Sequence, residues 1–432
     1  MARRLEKKYV RRRIALLCIA VGIIAAIIWG VASILQNRAA ANAILAAPRA
    51  VAEWPENTLT INEVAATRES LNQFALDSAK YVLTGIPKSE NQLYSPVALY
   101  QGVAMLSEVS TKSAASEVDA AFRLDSKGRG AIARSMDDLY RKFYQKNATY
   151  TVEIATTLWL EKGTAPGEES LALLAERYHA SVRLLDFSAR SASKTVTKAV
   201  ESTVGPLPKG WEVAENWSAL LVSALTFADE WQMPFDPQQA LENLFYCADG
   251  QEAKARFMVR TFDYRDYIQT DAFTASFLNY KNGCKLHLVL PAEGVLPADI
   301  AADPQLLAKA IDYSATGVDN ATIRFRVPQV HIMASTNFSD PLKLLGMPQL
   351  FGANAEEGGS GVAINELKQS VSFALGTEQT AGDETGQADE ALEEEILLPN
   401  VIDLNLNRPF LLAVTGPDDH ILLLGIVNSP AA

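Results

Sequence analysis

The sequence is poor in cysteine and histidine. It contains three cysteines and four histidines in 432 residues, and only Cys247 and Cys284 follow the first 40 residues. A framework of several disulfides is therefore excluded, while the pairing of these two cysteines stays open. None of the histidines falls in a metal-ligand spacing. They are His179, His287, His331 and His420.

Catalytic motifs are missing as well. The chain has no glycine-rich phosphate loop, nucleophile elbow or dinucleotide fingerprint. Its many acidic residues form pairs by chance, which is no signal of glycoside hydrolysis. His287 falls on a predicted strand and His420 in a predicted turn, where structural roles are usual. The sequence therefore predicts neither an enzyme nor a site for a metal or cofactor.

Positive charge is scarce outside the N-terminus. The chain has 39 Lys and Arg against 51 Asp and Glu, and eight of the basic residues fall within the first 38 positions. The remainder is therefore more acidic than the net charge of −12 suggests. This balance argues against nucleic acid as a partner, and favours a basic partner or solubility alone.

The N-terminal region resembles a membrane anchor. Residues 14–35 carry no charge and are long enough to cross a bilayer as a helix, while residues 1–13 form a basic tail. The positive-inside rule places that tail in the cytoplasm and the rest of the chain outside a cell membrane. Residues 36–60 are predicted to be an extracytoplasmic linker. The alternative is a secreted protein, released by cleavage of a signal peptide near Ala41.

Helical and strand patterns are mixed beyond residue 60. A helical face of apolar residues ends at Gly85, and Ser95-Pro96 is typical of an N-cap followed by the first helical position. Residues 217–227 are apolar on both alternating faces, which indicates a strand covered on each side. The elements do not follow a βαβ order, so the sequence predicts a single α+β domain over residues 61–432.

The segment from Gly376 to Phe410 is the most unusual part of the chain. It opens with Gly376-Thr377-Glu378 and contains no Lys or Arg before Arg408. Eight acidic residues lie between Thr377 and Glu395. Such a run is typical of a solvated loop, and it would also suit a basic partner.

Short motifs around this segment resemble the serpin family of protease inhibitors. They occur in the family's order from about Arg68 to Pro430, and this collinearity identifies the chain as a member. The matching stretches are 221–227 with Trp231, Pro234 and Phe235, then 280–291, 326–328, 345–351 and 424–430.

The resemblance implies three β-sheets surrounded by helices, with an exposed reactive-centre loop at about 376–403. It implies inhibition of a serine or cysteine endopeptidase, which cuts the loop and is held as an acyl-enzyme while the loop inserts into the main sheet. It also implies that Ser95, Pro96 and Trp231 lie where that sheet opens. We expect a monomer.

The loop hinge departs from the inhibitory pattern of small residues. Alternate side chains of an inserted strand face the core, so Gln379, Ala381 and Asp383 would follow Thr377 inward. Burying an unpaired carboxylate costs several kcal/mol or forces its protonation. A rival hypothesis is therefore a non-inhibitory serpin whose acidic loop binds a partner or is a plain substrate. The predicted hinge comprises Gly376, Thr377, Glu378, Gln379, Thr380, Ala381, Gly382 and Asp383.

Two ways of counting place the cleaved bond differently. Counting forward from Gly376 by the family's spacing gives Glu390-Ala391, whereas counting back from Pro409 gives Leu398-Pro399. A bond before proline is a poor substrate, so Ala391-Leu392 and Ile396-Leu397 are equal candidates. The reactive-bond candidates are Glu390, Ala391, Leu392, Ile396, Leu397 and Leu398.

Overall fold

The computed structural model describes residues 43–49, 58–85, 87–124, 128–143, 145–146, 150–208, 211–215, 217–314, 317–351, 361–376 and 401–430. The predicted tail and membrane span, residues 1–35, lie outside these ranges. Within them, no helix is both long enough and apolar enough to span a bilayer.

Nine α-helices and sixteen strands occur in this described part. The helices are α1 (Ile61–Val82), α2 (Pro96–Ser107), α3 (Lys112–Ala121), α4 (Gly128–Phe143), α5 (Glu168–Arg177), α6 (Ala192–Val204), α7 (Pro297–Ala302), α8 (Pro304–Ile311) and α9 (Ser339–Leu344). The strands are β1 (Ile44–Ala46), β2 (Gln92–Tyr94), β3 (Gln145–Lys146), β4 (Tyr150–Glu161), β5 (Ser181–Leu185), β6 (Ala219–Asp229), β7 (Leu241–Tyr246), β8 (Glu252–Gln269), β9 (Phe273–Asn279), β10 (Lys285–Pro291), β11 (Asp319–Pro328), β12 (Val330–Asn337), β13 (Glu366–Leu375), β14 (Val401–Asn405), β15 (Phe410–Thr415) and β16 (Ile421–Val427).

The main sheet has the order β1-β5-β4-β6-β13-β12, with β3 beside β4. Its central strand β6 is covered on both faces, as the sequence predicts. Leu221 and Leu225 pack into the large core with α2. Leu220 and Val222 pack with α6 in a second apolar cluster on the opposite face. Burial on both faces explains why this strand reads as a continuous apolar run.

The other strands form a nine-stranded array, β14-β11-β8-β9-β10-β15-β16-β2, with β7 also paired to β8. The long strand β8 joins two smaller sheets. Its first part pairs with β7 and β11, and its last residues, Tyr267–Gln269, pair with β9. The two smaller sheets and the main sheet are the three sheets that were predicted. The α+β class and the single large domain are confirmed.

Local capping chemistry sets where the first helices begin. Thr60 accepts a hydrogen bond from the Glu63 amide, and the Glu63 carboxylate accepts one from the Thr60 amide, which is a capping box for α1. Ser95 caps α2 by accepting from the amide of Ala98, with Pro96 at the first helical position. The predicted Ser95-Pro96 start of the helix is therefore confirmed.

A buried ion cluster fixes the end of α5 against α4. Asp137 is fully buried and accepts hydrogen bonds from Arg141, from Arg177 at 2.9 Å and from His179 Nε2 at 2.8 Å. Burial alone would raise the pKa of the Asp137 carboxyl, but hydrogen bonds from His179 and the two arginines outweigh it and lower that pKa. The residues joining α5 to the edge of the main sheet are thereby held in place.

Part of the predicted linker belongs to the main sheet. Strand β1 pairs antiparallel with β5, and Ala43 O accepts a hydrogen bond of 2.8 Å from the Leu184 amide. Leu45 packs against the core, and Arg49 forms an ion pair with Glu176 of α5. The unpaired backbone groups at the edge of β5 explain why this extended segment is recruited rather than left as a spacer.

Candidate functional site

The junction between β6 and β13 lies at the centre of the main sheet. The two strands are parallel, and their register runs from Glu366 opposite Leu220 to Phe373 opposite Phe227. On its other side, β13 is antiparallel to β12. The sheet is therefore closed, and β13 leads directly to Gly376 at the start of the acidic segment.

This geometry suits the addition of a strand. A segment that reverses direction after β13 would run antiparallel to β13, and hence also to β6. Entering between them, it would replace one parallel ladder with two antiparallel ladders, and parallel pairing is slightly less stable per residue. The central junction can thus gain backbone hydrogen bonds if β6 and β13 separate.

A polar row crosses the middle of this otherwise apolar sheet. The register places Thr156 of β4 opposite Ser223 of β6, and Ser223 opposite Gln369 of β13. All three side chains are buried. The hydroxyls of Thr156 and Ser223 have no hydrogen-bond partner among the described residues. Each such buried hydroxyl costs roughly 1–3 kcal/mol, so the closed sheet carries a local penalty at this row.

Gln369 ties this row to the start of α2. Its Oε1 accepts a hydrogen bond of 2.6 Å from the Ser95 amide, and its Nε2 donates one of 3.0 Å to Ser95 O. Of the predicted sheet-opening residues, Ser95 is therefore bonded to β13, and Pro96 follows it as the first residue of α2. Gln369 was missed in the sequence, although a polar residue among the inward-facing Leu367, Val371 and Phe373 was the available signal.

Trp231 marks the other end of the junction. Its indole is 3% exposed and stacks on Tyr280, with ring centroids 4.6 Å apart. Its Nε1 donates a hydrogen bond of 2.9 Å to Gly376 O. The structure thus brings Trp231 to the first residue of the predicted hinge, while Ser95 contacts Gln369 in the middle of β13.

The β9–β10 turn holds the end of β6 beside Trp231. The Lys281 amide donates to Glu230 O at 2.8 Å, and the two side chains form an ion pair. Asn282 Nδ2 donates to Asp229 Oδ1 at 2.9 Å. Burial raises the pKa of the Asp229 carboxyl to about 6, and hydrogen bonds from Asn282 and the Glu230 amide only partly oppose it. Burial raises the pKa of Tyr150 and of Cys284, and the nearby Asp229 carboxylate raises both further.

The remaining predicted site residues, Thr377 to Asp383 and the six reactive-bond candidates, lie outside the described residues. Both cysteines that could have paired are free thiols. In the ranges given above, no group of three or more His, Cys, Asp and Glu side chains could hold a metal ion. His287 and His420 are buried, on β10 and in the turn before β16, as predicted.

Comparison with known proteins agrees with this geometry. The family model of Serpin (serine protease inhibitor) matches residues 69–430. Corticosteroid-binding globulin of Saimiri sciureus is 25% identical, over 83% of this chain and 89% of its own length. Plasminogen activator inhibitor 1 of Neovison vison is 22% identical, over 79% of this chain and 88% of its own length. The crystal structure of human thyroxine-binding globulin with its hormone superposes with a TM-score of 0.73 at 20% identity, covering 85% of this chain and 99% of that one. The chain belongs to the serpin family.

Proposed function

We propose that this serpin inhibits a serine or cysteine endopeptidase by inserting its cut loop between β6 and β13. The observation that carries the proposal is the closed parallel pair β6–β13, whose second strand ends at Gly376 beside Trp231. The unsatisfied hydroxyls of Thr156 and Ser223 favour separation of the same strands. The chain itself performs no catalysis in this mechanism.

The chemistry belongs to the protease, and the chain supplies the mechanical step. A protease nucleophile attacks a peptide bond of the 377–400 segment, and the acyl-enzyme forms as the new chain terminus leaves. The portion still attached to Gly376 then enters the sheet antiparallel to β6 and β13. Backbone hydrogen bonds and burial gained on insertion would carry the acylated protease away from its working geometry.

We also propose that the domain is monomeric, lies outside a cell membrane and is tethered by residues 14–35. The charge asymmetry of residues 1–38 supports the tether, and secretion after cleavage near Ala41 is the alternative. The acidic loop favours a protease with a basic surface near its active site.

The test is to incubate residues 39–432 with a panel of serine and cysteine proteases. Inhibition predicts a complex that survives denaturing electrophoresis, and mass spectrometry of the released C-terminal fragment would give the cleaved bond. Cleavage without any such complex across the panel would refute the inhibitory mechanism. Cell-surface labelling of the full chain, with and without detergent, tests the tether separately.

A second candidate is a non-inhibitory serpin whose loop binds a partner or is a substrate. Gln379 and Asp383 favour it, since both would face the core on insertion. Some of the similar proteins carry the names of ligands, corticosteroid and thyroxine, rather than of proteases. Melting the chain before and after cutting the loop separates the two candidates, because only insertion produces a large rise in Tm.

A further inference from the structure

A shallow surface cleft, too narrow to hold a water molecule, lies beside the end of β6, next to the site described above. Its lining consists of Trp231, Met233, Phe235, Phe262, Arg265, Leu278 and Asn279. Met233 is 40% exposed, so the cleft reaches solvent. Apart from the arginine and Asn279 its lining is apolar, which strengthens the electrostatic interactions of a charged group bound at its rim.

Two arginines of β8 approach the same aromatic ring at this cleft. The guanidinium carbon of Arg265 lies 4.7 Å from the Phe262 centroid, and that of Arg260 lies 5.2 Å from it. Arg260 donates to Pro234 O. Neither guanidinium is within 4.0 Å of a carboxylate oxygen in the described part of the chain. Among the described residues, these two cations thus share one ring with no ion-pair partner.

Burial and repulsion between the two cations disfavour the charged form of Arg265. Burial lowers the pKa of Arg265, repulsion by Arg260 lowers it further, and the neighbouring Asp266 opposes the shift only in part. One Asp266 oxygen already accepts from Asn320 Nδ2 at 2.9 Å. An added anion would relieve the repulsion, and a carboxylate matches the fork of a guanidinium.

Both ends of the acidic segment lie near the cleft. Gly376, before the segment, is hydrogen-bonded to Trp231, which lines the cleft. Val401, after it, begins β14 opposite Thr322 of β11, and the adjacent Ala321 pairs with Arg265 of β8. Two strand spacings, ~10 Å, therefore separate the returning end from Arg265. A tether at both ends gives the eight carboxylates between Thr377 and Glu395 an effective concentration on the order of millimolar at this site.

We propose that Arg260 and Arg265 form a carboxylate-binding site for the chain's own acidic segment, residues 377–400. The charge of that segment then has a specific intramolecular partner, in addition to any role in selecting a protease. The contact restrains the segment on the body beside its Gly376 end. It requires only the intact chain, so it holds whether or not the loop traps a protease.

The first test is limited proteolysis with a glutamate-specific endopeptidase at low salt. Arg265→Gln removes the charge without removing length, and Arg260 is left in place because it supports the Pro234 backbone. We expect Arg265→Gln to speed cleavage within residues 377–400 by roughly 3–10-fold, the loss expected for one hydrogen bond of ordinary net strength. The control Arg190→Gln alters an exposed arginine that precedes α6 and should leave the rate unchanged. Salt at about 0.5 M should raise the wild-type rate toward that of Arg265→Gln. Equal rates for all three proteins would overturn the proposal.

The second test identifies the occupant. The probe is a labelled peptide with the sequence of residues 389–395, added to wild type and to a variant with all eight loop acids changed to Asn or Gln. We expect it to bind the neutralised variant at least tenfold more tightly, and to lose that binding when Arg265→Gln is added. Equal binding to both proteins would mean that the cleft is open in the wild type, and would overturn the intramolecular assignment. Binding to neither would exclude a carboxylate site. Neither test depends on protease trapping. Failure of the carboxylate-site proposal is therefore distinct from failure of the inhibitory mechanism.

Discussion

Single polar residues at the centre of the main sheet decide how firmly it is closed. Gln369 holds the start of α2 through two hydrogen bonds, whereas the hydroxyls of Thr156 and Ser223 in the same row have none in the described ranges. The Gln369 hydrogen bonds stabilise the closed sheet, and the two hydroxyls without a partner destabilise it. The row therefore contributes to the free energy of separating β6 from β13.

Asp229 makes the end of β6 sensitive to pH. Its pKa of about 6 is raised above that of an exposed aspartate. The protonated carboxyl therefore contributes to the free energy of unfolding at low pH, and that contribution is lost as the pH rises through 6. We expect Asp229→Asn to raise the free energy of unfolding by up to about 2–3 kcal/mol at pH 8 and to change it little at pH 4. Urea unfolding midpoints at several pH values measure this difference.

The control for this prediction is Asp271→Asn, which alters an exposed aspartate in the turn between β8 and β9. Its effect should be small at every pH. If Asp229→Asn and wild type show the same pH dependence, the buried carboxyl does not govern the stability of this strand end.

At the scale of elements, a short strand outside the family match shapes the edge of the main sheet. Strand β1 precedes the matched residues 69–430, yet it pairs with β5 and is linked to α5 through Arg49 and Glu176. It adds an edge strand to the group β1-β5-β4-β6, which must move away from β13 if a strand enters. It also covers an edge that would otherwise be open to pairing with another chain.

Leu45→Ala tests whether β1 contributes to stability. Leu45 packs against the core, so its truncation should lower the free energy of unfolding by about 1–2 kcal/mol. Ile44→Ala is a matched control on the same strand, since Ile44 is 56% exposed and its loss should cost less than about 0.5 kcal/mol. Equal denaturant midpoints for the two variants would show that β1 is not packed as described.

At the scale of the whole molecule, the proposed function depends on the difference in free energy between the closed sheet and one with an extra strand. The closed form lacks the two antiparallel ladders that an inserted segment would form. Insertion is opposed by the cost of burying Gln379 and Asp383, if these residues enter facing the core. The sign of that balance separates an inhibitor from a non-inhibitory member of the family.

Replacing both hinge residues should shift this balance toward insertion. We expect Asp383→Thr combined with Gln379→Ala to increase the rise in Tm that follows loop cleavage, because no carboxylate then enters the core. The change would be measured by thermal melting of intact and cut protein. An unchanged rise in the double variant would mean that neither side chain limits insertion.

Sequence alone determined what depends on neighbours along the chain. Ser95-Pro96 predicted the start of α2, and the apolar run at residues 217–227 predicted the buried strand, since capping and burial patterns act over a few residues. The collinear motifs indicated the family. The hinge chemistry at Gln379 and Asp383 is likewise read from the sequence alone.

Only the tertiary structure decided which distant residues meet. Gln369 reaches Ser95 across 274 positions, and Trp231 reaches the Gly376 carbonyl across 145. Strand β1 and the paired arginines above Phe262 also had no signal in local pattern, because an edge strand of three residues and a shared aromatic ring depend on sheet register. Hydrogen bonds and charges act through space at a few ångströms, so their partners are set by the fold and not by spacing along the chain.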